Sequence, residues 1–231
     1  ADHHDIFEIK NYNDPSWGIN RGDAMELECN YLLMCDNLLD PTHVAWVHAG
    51  SFGQAATKSA PLRVKKTNDG VIVHRWMMDV EPAPFYKKVV GFNGNCDRLQ
   101  HYEVRYPSNA LIKAIFTPAG TGGSEGKLHD DVFIMDSYNF MTPVTESKTR
   151  YYWFQLRNIR PDDSALSQLM TDDVQQAFEE DRNVLNEVQK GMTNKTSPHI
   201  DLPIDAGQLR FRRQLQAMIN EEEQVDKQMA Q

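Results

Sequence analysis

The sequence predicts an α+β fold in which a curved antiparallel sheet grips a long helix. Three observations predict it: one short helical stretch near the start, six β-patterned stretches between residues 62 and 158, and a helical pattern of nearly thirty residues after them. Strands followed by helices, rather than alternating with them, indicate α+β layering. At 231 residues the chain is sized for one large core, so a single domain over 1–231 is expected.

Residues 1–24 read as an irregular lead-in containing Pro15 and Gly18. Met25 to Asn30 alternate apolar and polar, as a strand does. Tyr31 to Leu39 suit a helix whose buried stripe is Leu32, Leu33, Leu38 and Leu39. Pro41 biases Asp40 away from the helical region, so the helix ends there and a new turn starts. Leu62–Lys66 and Val71–Met78 flank Asn68-Asp69-Gly70, a hairpin signal. Leu99–Arg105, Leu111–Thr117, Val132–Phe140 and Thr149–Asn158 supply four more strands. Ala119–Gly126 holds four glycines in eight residues and reads as a loop, either a lid or an ordinary surface connection. From Ser164 to Gly191 the pattern is helical, with Val174, Phe178, Asp181, Leu185 and Val188 on one stripe and Gly191 as the stop. Residues 205–223 form a last amphipathic helix with Leu209, Phe211, Leu215 and Ile219 as its apolar contacts.

The net charge of −9 and pI of about 5.3 argue against nucleic acid or an anionic membrane as a partner, since both recruit basic surface. No apolar run approaches the roughly 20 residues of a membrane span, and no charged-then-apolar leader opens the chain, so a cytoplasmic location is expected. Cys29, Cys35 and Cys96 lie in no C-x-x-C or C-x-H motif. They read as free thiols of a reducing compartment rather than as ligands of an iron–sulfur or structural zinc site. The chain opens on Ala1 without an initiator Met, which suggests that something upstream has been cut away.

The chemistry concentrates in Asn37-x-x-Asp40-x-x-His43-x4-His48. Neutral imidazoles suit iron, zinc, copper or nickel, and two of them need one carboxylate to complete a metal site with open positions. On an ideal helix residues five apart point roughly 140° away from each other; the break at Pro41 is what can bring the two rings together. The spacing alone fits equally two unrelated histidines at a helix end. Asp181 occupies a place in the apolar stripe of the long helix where Leu or Val is expected, and a carboxylate there is costly unless it is paired or holds a metal. Spacing leaves both readings of Asp181 open. Glu179 and Glu180 fall elsewhere on the wheel and read as solvated.

Taken together these residues resemble the oxygenase α-subunits of Rieske non-haem iron oxygenases, in the vanillate O-demethylase and dicamba monooxygenase branch. The likeness rests on Asn37-x-x-Asp40-x-x-His43-x4-His48 with the preceding Cys29-Asn30-Tyr31 and Asp36. It rests also on Thr142-Pro143 through Glu146 with Thr149, Tyr151, Tyr152 and Trp153, and on Glu180-Asp181-Arg182-x-Val184-Leu185. Order and separations agree from about residue 25 to 190. The resemblance implies a helix-grip, START-like catalytic domain in which His43, His48 and Asp181 hold mononuclear Fe(II). It implies that Asp40 bridges toward a neighbouring subunit's Rieske cluster and that Asn37 sits near the iron. It puts Asn139, Ile112 or Lys113, and Asp172 near the substrate, with Asn139 and Asp172 standing where relatives carry histidine and tryptophan. The implied reaction takes O2 as co-substrate and hydroxylates a C–H bond of an aromatic-acid-like substrate, with O- or N-demethylation as the outcome. Electrons would come from NAD(P)H through a reductase and a Rieske domain or ferredoxin, within a head-to-tail homotrimer.

The family's [2Fe–2S] cluster needs two Cys and two His, and this chain does not offer them. Its three cysteines are followed by Asn-Tyr, Asp-Asn and Asp-Arg, and His3, His4, His74, His101, His129 and His199 have no cysteine at useful spacing. The cluster is therefore expected on a missing or separate Rieske domain. Two other functions remain open: a non-catalytic ligand-binding module of the same fold, and a zinc hydrolase using the same three ligands, although Val44-Ala45-Trp46-Val47 offers no glutamate base beside the histidines.

Overall fold

The computed structural model describes residues 6–54, 60–194 and 200–229; His3, His4 and His199 lie outside them. The strands are β1 (Gly18–Arg21), β2 (Met25–Leu27), β3 (Arg63–Lys66), β4 (Gly70–Val80), β5 (Cys96–Arg105), β6 (Asn109–Pro118), β7 (Phe133–Thr145) and β8 (Lys148–Arg157). The helices are α1 (Tyr31–Asn37), α2 (Pro84–Val89), α3 (Ser164–Thr193) and α4 (Ala206–Met229), and a 3-10 turn covers His43–Ala45. The eight strands make one antiparallel, curved sheet in the order β1-β8-β7-β6-β5-β4-β3, with β2 also paired to β8. None of the described helices is long and apolar enough to cross a membrane.

The six expected strands and both long helices are present. Two elements were not anticipated. In β1 the alternation is inverted: Asn20 is buried, bonded through Nδ2 to Gln155 Oε1 at 3.1 Å, while Ile19 is exposed. A strand whose polar residue faces inward carries no readable apolar period. Helix α2 is only six residues long; Pro84 opens it, and Phe85, Tyr86 and Val89 are buried. Helix α1 is capped by Asn30 Oδ1, which accepts from Leu32 N at 2.9 Å, and it stops at Asn37, two residues before the expected end. Gly70 closes the β3–β4 hairpin, and a Cβ there would meet the Val104 carbonyl at 2.1 Å.

Strand parity divides the sheet. Residues paired in register across β4, β5, β6, β7 and β8 include Arg75, Gln100, Ala114, Met135 and Arg157, all buried on the inner face. That face packs against α1, α3 and α4. Helix α3, capped by Asp163 Oδ1 on Leu166 N, buries Leu166, Met170, Val174, Ala177, Asp181 and Leu185. The expected stripe holds as far as Leu185. Val188 is 40% exposed and lines an open depression shared with α1 and α4. Phe178 meets the rings of Tyr151 and Trp153 edge-on at 5.2 Å. Helix α4 buries Phe211 and Leu215, leaves Ile219 exposed, and is tied to α1 by the Arg212–Asp36 ion pair. The glycine-rich loop is pinned: Asp97 Oδ2 accepts from Gly120 N at 3.0 Å, and Gly123 is buried.

Candidate metal centre

The two histidines come from the irregular segment that follows α1. Asp40 organises it. Its Oδ1 accepts from Thr42 N at 2.7 Å and from the Thr42 hydroxyl, an Asx-type turn of the kind Asp favours. Pro41 and this turn stop α1 from continuing, and the 3-10 turn then carries His43. Amides of Ser51, Phe52 and Gly53 all donate to the His48 carbonyl, which fixes the segment's second half. The outcome is a pair of imidazoles whose centroids lie 5.2 Å apart at 78°. The break at Pro41 thus does what the sequence requires of it.

Asp181 meets them from the middle of α3. Its Oδ1 is 3.2 Å from His48 Nε2 and 3.6 Å from His43 Nε2, and one ligand atom of each residue lies within 4.8 Å of the others. The remaining ring nitrogens are already engaged. His43 Nδ1 faces the Asp40 carbonyl, which can only accept, so that nitrogen carries the proton. His48 Nδ1 lies 2.8 Å from Glu180 Oε2, again an acceptor. Both Nε2 lone pairs are left to point at Asp181. This is the orienting pattern of metal-ligating histidines.

Glu180 was expected to be solvated; it is half-buried and holds His48 from behind. Asp181 is 2% exposed. Its Oδ1 also accepts from Asn37 Nδ2 at 2.9 Å, and Asn37 Oδ1 is buried without a partner. Burial opposes a charge on His48, but Asp181 and Glu180 outweigh it and hold the imidazole pKa above its ordinary value. The buried Asp181 and half-buried Glu180 carboxylates bring acidic groups to a pair of imidazoles, a donor set that a divalent cation complements. The donor set, its convergence and its charge all fit such an ion, and two imidazoles with one carboxylate are the ligands of non-haem Fe(II) sites.

The triad lines a cavity of about 80 Å³ together with Phe52, Tyr86, Arg98, Ile112, Asn139 and Phe178. Of the proposed substrate residues, Asn139 and Ile112 face this cavity. Asn139 is held there: Tyr151 donates its hydroxyl proton to Oδ1 at 2.6 Å, and Nδ2 donates to the Ser137 carbonyl. Lys113, one residue on from Ile112, points to the other face of the sheet and pairs with Asp136 at 3.2 Å. Asp172 is exposed on α3, where it accepts from Gln168 at 2.8 Å. Asp40 and Asn37 line a second, open depression together with His43 and residues of α1, α3 and α4.

Residues 27–221 match the model of the vanillate O-demethylase oxygenase C-terminal domain family. The chain belongs to this family. Among relatives, it is 30% identical over 222 residues to a vanillate O-demethylase oxygenase subunit of Pseudomonas sp. (strain ATCC 19151), covering 94% of this chain and 67% of that protein. It is 30% identical over 207 residues to the iron-sulfur subunit of a toluene-4-sulfonate monooxygenase system of Comamonas testosteroni, covering 88% of this chain and 59% of that protein. The chain therefore spans about three-fifths of the length of such relatives. A crystal structure of dicamba monooxygenase bound to 3,6-dichlorosalicylic acid superposes with a TM-score of 0.86 at 21% identity, over 96% of this chain and 65% of that one. The fold of this dicamba monooxygenase region thus extends over 96% of the chain.

Proposed function

We propose that this chain is the mononuclear-iron catalytic domain of a Rieske-type aromatic monooxygenase or demethylase. The observation that carries the reading is the convergence of His43 Nε2, His48 Nε2 and Asp181 Oδ1, with both Nδ1 atoms already committed to acceptors. Fe(II) bound there would supply O2 activation. The domain spans 1–231 in this reading, with the [2Fe–2S] cluster on a Rieske domain or ferredoxin and electrons entering from NAD(P)H through a reductase. A homotrimer that joins one subunit's cluster to the next subunit's iron suits the open depression beside Asp40.

The chain's own residues then have distinct tasks. Asp40 fixes the His43 ring through its carbonyl while its carboxylate edges the outer depression, a position suited to passing a proton as an electron arrives. Asn37 orients Asp181. The Phe52, Tyr86 and Phe178 rings give the cavity flat apolar walls that fit an aromatic substrate and keep bulk water away from the reacting carbon. Asn139, with Ile112 behind it, contacts the ring substituents. The outcome would be insertion of one oxygen atom of O2 into a methyl C–H bond, the other leaving as water with the two electrons from NAD(P)H and two protons, after which the hemiacetal or hemiaminal loses formaldehyde.

A zinc hydrolase built on the same ligands needs a carboxylate base on the open side of the site. Glu180 does not serve: it is bound to the far nitrogen of His48. The test is anaerobic Fe(II) titration with an Fe(II)–nitric oxide spectrum. About one iron per chain, lost in His43→Ala and in Asp181→Ala, is expected. Stoichiometric zinc with hydrolytic turnover would overturn the reading, and a metal-free protein that binds ligands would replace it with a binding module.

A further inference from the structure

We infer that Arg75 is a positioning residue: it fastens the turn that carries His43 to the wall of the cavity, and so sets where the two imidazoles stand relative to Asp181. The consequence for iron rests on the oxygenase reading; the fastening itself does not.

Arg75 lies on the inner face of β4, opposite Gln100 of β5, and is 3% exposed. Its guanidinium donates in three directions. Nη2 donates to the Pro41 carbonyl at 3.0 Å, Nη1 to the Ala60 carbonyl at 3.2 Å, and Nε to Gln100 Oε1 at 2.7 Å. The first two acceptors bracket the histidines: the chain leaves Arg75 at Pro41 and is back at it by Ala60. The third contact reaches the cavity. Arginine can only donate, so Gln100 must turn its oxygen toward Arg75, and its Nε2 then donates to the Tyr102 hydroxyl at 3.3 Å. Tyr102 lines the same cavity as His43 and His48. One planar cation thus ties the histidine segment, at both its ends, to the sheet.

The grip on Pro41 is the one that aims His43. Pro41 is buried, and among the described residues no backbone amide donates to its carbonyl. A buried carbonyl without a donor is costly, and Arg75 supplies the bond that the broken helix cannot. The proline ring fixes φ at residue 41, and a bond to its carbonyl fixes ψ. The carbonyl before it, that of Asp40, is the one that faces His43 Nδ1. Two consecutive peptide units are therefore held, one by β4 and one against the imidazole. With Arg75 gone, ψ of Pro41 is free to turn, and His43 swings relative to His48 and Asp181.

The other buried arginines differ in where they bind. Arg157 is as deeply buried and has two nitrogens without partners, but it donates to the carbonyls of Arg160 and Asp163 and to Ser167 Oγ, at the start of α3 and well before Asp181. Arg98 reaches the Phe52 carbonyl and Gln54, beyond His48. Only Arg75 among these three holds the chain ahead of His43. Arg157 is accordingly the matched control.

The test compares Arg75→Met and Arg75→Lys with Arg157→Met and Arg157→Lys. The first readout is amide hydrogen exchange on the metal-free chain. The amides of Ala45, Trp46 and Val47 donate to the Thr42 and His43 carbonyls, so they report the turn, and those of β7 report the fold as a whole. Relative to β7, Arg75→Met should speed exchange in the turn by about 10- to 100-fold, the range for losing a hydrogen bond to a charged group, and Arg157→Met by less than about threefold. Arg75→Lys keeps the charge but not the three-way fork and should fall between wild type and Arg75→Met. The second readout is the Fe(II)–nitric oxide spectrum, which senses ligand geometry: it should broaden or split in the Arg75 variants and keep its wild-type shape in the Arg157 variants. Turn exchange no faster in the Arg75 variants than in the Arg157 pair overturns the inference, because a merely structural arginine loosens the whole fold alike. Should Arg75→Met fail to fold, Arg75→Lys against Arg157→Lys is held to the same criterion. Wild-type protein that holds no iron refutes the oxygenase reading and leaves the metal-free exchange to decide the role of Arg75.

Discussion

Nδ1 of His48 lies 2.8 Å from Oε2 of Glu180, so the residue adjoining Asp181 orients the His48 ring. Adjacent positions on a helix point about 100° apart. On α3 this lets Asp181 face the cavity while Glu180 reaches around its edge to the far side of the imidazole. Removing such an orienting partner typically costs 10–100-fold in metal affinity. Glu180→Gln keeps an acceptor but loses the charge, so an approximately tenfold weaker Fe(II) affinity is expected, with Glu180→Ala weaker still. Competition with a fluorescent chelator measures both; affinity unchanged in Glu180→Ala would show that the contact orients nothing.

The structural contacts of Asp40 and its proposed role in electron and proton transfer are separable by one substitution. Its carbonyl and its turn hold His43, and an asparagine side chain supplies the same Oδ1 acceptor to Thr42. Asp40→Asn should therefore retain about one iron per chain, while turnover with reductase and Rieske partner should fall below detection. Normal turnover would exclude Asp40 from the electron and proton path.

The outer face of the sheet sets an acid limit on stability. Burial works against the Glu103 charge, but His101 and Arg105 outweigh it and draw the carboxyl down to about 2. A carboxyl whose folded pKa is depressed stabilises the fold above its unfolded value, near 4.5, and that stabilisation is lost as pH falls toward 2. Wild type should thus lose stability between about pH 5 and pH 3 more steeply than Glu103→Gln. Urea unfolding at several pH values reads the two slopes, and equal slopes would remove Glu103 from the account.

Helix α4 approaches β4 closely at Gly207, where a Cβ would stand 2.4 Å from Val73 Cγ2. Alanine favours a helix by up to about 1 kcal/mol over glycine, yet overpacking costs about 1–3 kcal/mol. A net loss is expected for Gly207→Ala, seen as a Tm lowered by a few degrees. A raised Tm would mean that Val73 moves aside freely.

The order of elements and the clustering of His43, His48 and Asp181 were legible in the sequence because each has a strong local signature. Alternation marks β4 to β8, and Asp181 interrupts an otherwise apolar stripe. What was not legible depends on distant partners. Glu180 looks solvated on the wheel because periodicity says nothing of a loop 132 residues away that packs over one flank of the helix. Arg98, between Asp97 and Leu99, has the look of a surface charge until register places it inside. Lys113 and Ile112 differ by one residue, and only pairing with β7 decides which of them faces the cavity. Strand β1 hides behind a buried Asn20, and α2 is too short to show a period.

The proposed metal donors also bear on how the chain is fastened. His43 and His48 belong to a segment of turns outside the sheet, whereas Asp181 is embedded in α3. An ion shared between them closes a loop of well over a hundred residues, and in chain-entropy terms it acts as a reversible staple, much as a cross-link would. Chelation should then unlatch residues 40–54 from α3 while the sheet stays folded, so that a protease cutting in that segment reports iron occupancy.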